Sequence, residues 1–158
     1  MRLNGLRISG RLVRLHQVFA GPRHPKQAPL YRRLAADRIN ISFLYLNGLR
    51  PEKQICCLVE SGILGRTTAG SMQEQAGAGG LPEAAAAAGL ITAFPHRFDP
   101  AAIGIIINAV TQAGAGFHCL ASSGAIVALA TDYEAQKNAA AAITQQVDLP
   151  DSHGPFFT

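Results

Sequence analysis

Laid over itself, the chain repeats its order of elements. Ala36-Asp37-Arg38-Ile39-Asn40-Ile41-Ser42 falls on Gln112-Ala113-Gly114-Ala115-Gly116-Phe117-His118, and the same offset sets Pro25 on Ala101, Leu30 on Ile106 and loop 19–24 on 95–100. Few residues are identical, but the apolar phase agrees. A chain of 158 residues can be one domain or two small ones that share an interface. The recurrence selects two, because weak repeated modules bury a common face by packing side by side.

In the first half, residues 7–19 alternate apolar and polar positions and predict a strand with one buried face, bent or bulged at Gly10. Ala20-Gly21-Pro22-Arg23-His24 stops it, and Pro25 can open a helix because its missing N–H would be unpaired there anyway. Leu30, Tyr31, Leu34 and Ala35 form the apolar stripe of that helix. Strands follow at 39–46 and 54–59, separated by a turn at Asn47-Gly48. A short helix over 67–75 gives way to the Gly77-Ala78-Gly79-Gly80 run. The alanines 84–88 read as a linker or a helical turn, which places the module boundary between Gly77 and Gly89.

The second half restarts with a strand at 90–94. Asp99 is the expected N-cap and Pro100 the first helical residue, with Ile103, Ile106, Ile107 and Val110 as the buried stripe and Gly114 as the stop. Strands at 116–121 and 125–131 flank the Ser122-Ser123-Gly124 turn. Asp132 caps a second helix through Ile143, and 147–150 is a short last strand or extended exit. The fold class is therefore α+β: two ferredoxin-like β-α-β-β-α-β modules, 1–82 and 83–158, with antiparallel sheets and helices on one face.

Hydrophobic residues make up 48% and charged residues 15%, enough apolar material for a core and little of the charge excess that keeps chains unfolded. No stretch approaches the roughly 18 apolar residues needed to span a bilayer, so the expectation is a cytoplasmic protein with no membrane partner. The net charge is +4, with arginines scattered through the first third in no polybasic tract and no Trp or regular Phe/Tyr platform on which bases could stack. No nucleic-acid partner is expected. The histidines do not recur at metal spacing, and His118 and Cys119 point to opposite faces of one strand, so no metal site is expected. Cys56, Cys57 and Cys119 all lie in apolar strands and read as buried, reduced thiols rather than nucleophiles. No phosphate-binding loop, dinucleotide fingerprint or His-Glu-x-x-His motif appears, and no cofactor is implied.

Several segments together carry a resemblance. They are 90–98 as a first strand and loop, 103–114 as helix and turn, 117–131 with its hydroxyl-rich turn, 132 onward as a second helix, and Asp37-Arg38-Ile39-Asn40-Ile41 as a second-strand entry. These resemble the ACT-domain family, in particular the paired regulatory modules of aspartate kinases, here without the kinase part. The resemblance implies a regulatory protein that is not an enzyme, a small-molecule ligand that is an amino acid, a homodimer and a partner enzyme. It also implies where the ligand sits: between a strand-to-helix loop and the second-strand entry of a neighbouring module.

The loops fit that role chemically, since a helix N-terminus presents unpaired N–H groups to a carboxylate. The candidate ligand residues are Phe19, Ala20 and Gly21 in the first loop and Phe94, Pro95, His96, Arg97 and Asp99 in the second. The candidate strand entries are Asn40-Ile41 and Phe117-His118. Gly21 lets backbone donors come closer than Pro95 does, Asn40 offers both donor and acceptor, and Asp99 can meet a ligand ammonium. A structural adaptor that pairs through its sheet edges is the alternative function.

Overall fold

The computed structural model describes residues 2–20, 28–47, 52–60, 83–95, 99–150 and 156–157. The chain divides into two compact units, one formed by Met1–Arg11 with Ala87–Thr158 and the other by Leu12–Ala86. The contiguous halves 1–82 and 83–158 are thereby corrected: the second unit is inserted into the first. The reason is visible at residues 9–11. The single strand expected over 7–19 is two, β1 (Leu3–Ile8) and β2 (Leu12–Ala20), and β1 pairs with β5 (Glu83–Pro95), far away in sequence.

The first unit contains β1, β5 from Ala87 onward, α2 (Ala101–Gln112), β6 (Phe117–Ser122), β7 (Val127–Asp132), α3 (Gln136–Gln146) and β8 (Phe156–Phe157). Its strands run in the order β6-β7-β5-β1-β8, antiparallel except for β1 with β8. The place of the fourth strand beside β5 is thus filled by β1. The expected last strand at 147–150 is reduced to a single bridge between Asp148 and Arg2. One sheet face is an apolar row in register: Ile8 opposite Ile91, Ile91 opposite Leu129, and Leu129 opposite Leu120. Ile106, Ala109 and Val110 of α2 and Ala139, Ala140 and Ile143 of α3 complete this core. The predicted α2 stripe is corrected here. Ala102 and Ala109 are buried while Ile103 and Ile107 are only partly so, so the buried face is centred on Ile106 and Val110 with the alanines beside them.

The alanines at 84–88 are strand, not linker or helix. Ala88 pairs with Asp132 and is buried, and Tyr133 N donates to Ala87 O. Alanine's helix preference is small beside a filled hydrogen-bond ladder. Asp132 does not cap α3. It ends β7, and the helix begins after a turn in which Ala135 N donates to Asp132 O.

The inserted unit contains β2, α1 (Ala28–Ala36), β3 (Ile41–Asn47) and β4 (Glu52–Glu60). Its strands run β3-β4-β2, both pairs antiparallel. Leu15, Cys57 and Val59 face α1, which contributes Leu34, while Ile39 closes the cluster just past the helix end. The expected helix over 67–75 lies outside the described residues.

All three cysteines are buried thiols. Burial, reinforced by neighbouring Cys56, pushes the Cys57 thiol up to about 11. A nucleophilic role needs the opposite shift.

Candidate functional site

The two strand-to-helix loops and the two second-strand entries are set at opposite ends of their sheets. In the first unit, β5 runs toward its loop with Ala93 opposite Val127, which is opposite Ser122 at the far end of β6. The entry of β6, Phe117, lies instead opposite Thr131, whose other partner is Gly89. In the inserted unit, Ala20 lies opposite Glu52 at the loop end. Ile41 lies opposite Val59 at the other end, beside the Leu12 to Glu60 pair. Strand direction fixes this: β5 and β6 are each antiparallel to β7, and β2 and β3 each antiparallel to β4. The strands on either side of each helix thus run parallel, and the end of one lies at the opposite end of the sheet from the start of the next. Loop and strand entry of the same unit therefore do not converge.

At the second loop, Asp99 Oδ1 accepts from Ala101 N at 2.9 Å, and Asp99 O accepts from Ala102 N at 3.0 Å. The predicted capping role of Asp99 holds chemically, although the helix proper starts at Ala101. It has a consequence for the site. The first orphan N–H of α2 is already taken by a carboxylate, so a ligand carboxylate there must share or displace Asp99. Phe94 and Pro95 close β5, Phe94 partly buried and Pro95 buried, whereas His96 and Arg97 lie outside the described residues. In the first loop, Phe19 and Ala20 end β2, and Gly21 lies outside the described residues.

At the strand entries, Phe117 and Ile41 present exposed apolar side chains, 40% and 39% exposed. Asn40 Nδ2 donates to Glu60 Oε1 at 3.4 Å across the end of the inserted unit's sheet, a long contact that leaves the amide accessible. His118 Nε2 lies 2.9 Å from Asp132 Oδ1 on the neighbouring strand. An ionised carboxylate only accepts, so Nε2 carries the proton and donates. This pairing was not anticipated, because the residues meet only once β6 and β7 are in register. Below it, Thr131 is fully buried and its hydroxyl donates to Gly116 O at 2.7 Å, fixing the start of β6.

A buried polar group at the same end was also missed. Gln136 reaches from α3 to the Leu90 carbonyl and the Ser9 hydroxyl, over Gly89. The signal available in the sequence was Gly89 itself, since a glycine inside a strand often marks a close approach. Among the described residues no group of His, Cys, Asp and Glu is placed to hold a metal ion, and no helix is long and apolar enough to cross a membrane.

The chain is similar in structure to the regulatory subunit of aspartate kinase from Thermus flavus, with a TM-score of 0.75 and 15% identity over 92% of this chain and 99% of that chain. The ligand-free regulatory subunit from Thermus thermophilus gives 0.72 at 16% identity, over 92% of this chain and 99% of that one. Aspartate kinase from Synechocystis gives 0.67 at 19% identity, over 90% of this chain and 26% of the kinase. No protein-family model and no curated protein matches the sequence. At these identities the likeness is one of fold, an α+β arrangement of antiparallel strands and helices.

Proposed function

We propose that this chain is a non-catalytic regulatory module that binds an amino acid between a strand-to-helix loop of one module and the second-strand entry of another. The observation that supports this reading is the strand register, which sets the strand-to-helix loop and the second-strand entry of each unit at opposite ends of its sheet. Each unit offers a loop at one end of its sheet and an entry at the other, so a complete site needs two modules. Ligand binding and module association are then the same event, which is how a bound small molecule becomes a signal to a partner enzyme. A homodimer in the cytoplasm is the assembly in which this operates. The fold shared with the aspartate kinase regulatory subunits supports the reading.

On this reading Asn40 holds the ligand's polar groups, while Ile41 and Phe117 form apolar walls. The adaptor function remains the second reading because β3, at the end of its described sheet, exposes Leu44 and Leu46, the latter at 59%.

Thermal shift against the twenty amino acids, followed by titration calorimetry, tests the proposal. A ligand selective for the folded state adds roughly 2.7 kcal/mol at a hundredfold its Kd. Asn40→Ala should weaken binding by about 1–3 kcal/mol while leaving the melting temperature without ligand unchanged. No heat with any amino acid, on folded protein at saturating concentration, would move the function to the adaptor.

A further inference from the structure

Gln136 opens α3 and is 2% exposed, one of two buried polar residues among those described. Its Nε2 donates to Leu90 O at 3.1 Å and to Ser9 Oγ at 3.4 Å. Ser9 Oγ also accepts from Leu90 N at 2.9 Å and donates to Gly10 O at 2.8 Å, and Ser9 N donates to Leu90 O at 2.9 Å. A Cβ at Gly89 would overlap the Gln136 amide, so the glycine is what lets the amide reach the strand. Ser9 lies just before the chain leaves the first unit after Arg11, and Leu90 just after it returns at Ala87.

A buried amide costs free energy unless its hydrogen bonds are made. Those of Gln136 Nε2 go only to Ser9, just past the strand by which the chain leaves, and to Leu90 in the strand by which it returns. Its donor group is therefore satisfied only when both are in place. We propose that Gln136 is a clasp for the inserted unit, tying the exit and return strands together so that the two crossings open as one. This inference concerns the first unit alone and stands whether or not the chain binds an amino acid.

Amide hydrogen exchange on the full chain tests it. The exit is read at the Ser9 amide and the return at the Tyr133 amide, which donates to Ala87 O at 3.1 Å. In Gln136→Leu, which keeps the volume and removes the donors, both amides should exchange roughly tenfold faster and by similar factors, with those of Leu129 and Ile143 unchanged. Ser9→Ala, a milder change should Gln136→Leu not fold, should likewise raise exchange at Tyr133, distant from it in the chain. Exchange that rises at one crossing only, at neither, or uniformly through the unit overturns the proposal.

Discussion

Arg38 and Gly114 hold the same place in the two units, each the left-handed residue just past a helix, with φ of 54° and 67°. The hydrogen bonds around them match. Arg38 N donates to Ala35 O and Ile39 N to Leu34 O, as Gly114 N donates to Thr111 O and Ala115 N to Val110 O. Both ends are Schellman motifs, with a buried apolar pair closing each: Leu34 with Ile39, and Val110 with Ala115. The offset that aligns the two halves of the sequence aligns these residues one for one.

Only one of the two helix ends uses the residue suited to it. A non-glycine in this conformation costs roughly 1–2 kcal/mol, partly offset by glycine's extra freedom when unfolded. Arg38→Gly should therefore stabilise the protein by about 0.5–1 kcal/mol. Gly114→Ala should destabilise it by about 1 kcal/mol through the backbone alone, since an added Cβ meets nothing within 4 Å. Chemical denaturation of both variants checks the signs, and destabilisation by Arg38→Gly would count against the assignment.

Two other glycines should respond in opposite directions. Gly104 lies inside α2 with open space around it, so Gly104→Ala should stabilise by up to about 1 kcal/mol from helix propensity. Gly89→Ala drives a methyl into the Gln136 amide and should destabilise by about 1–3 kcal/mol. Thermal melts of the pair measure both, and the Gly89→Ala loss should shrink when Gln136→Ala is added, because the clash partner is then gone.

The thiols make a prediction about pH. The Cys57 thiol is raised from 9.0 to about 11, so between these values the folded state holds a proton that the unfolded state has released. Stability therefore falls as pH rises through this window and is unaffected by this group below it. Cys57→Ala should flatten that part of the curve. Cys56, Cys57 and Cys119 should all resist a thiol reagent in the native protein at neutral pH and react together on unfolding, since all are buried.

The sequence by itself determined what neighbours along the chain control. The turn at Gly114, the carboxylate of Asp99 at the start of α2, the strand segments on either side of Ser122-Ser123-Gly124 and the apolar strands that bury the cysteines all follow from short-range sterics, capping and alternation. The offset between Arg38 and Gly114 was legible for the same reason. Of the candidate site residues, the capping bond of Asp99 could be read, because it is local, but not the pairing of Asn40 with Glu60 twenty residues away.

Tertiary structure alone decided which sheet a strand joins. Residues 7–19 read as one strand because alternation carries no information about partners, yet β1 goes to β5 while β2 goes to β4. Ala87 and Ala88 are held in the strand by Tyr133 and Asp132, and Asp132 turns from an expected cap into a partner of His118. Gln136 finds Ser9 and Leu90 in the same way. In each case the deciding hydrogen bond joins residues distant in sequence, and its energy exists only after the register that brings them together has formed.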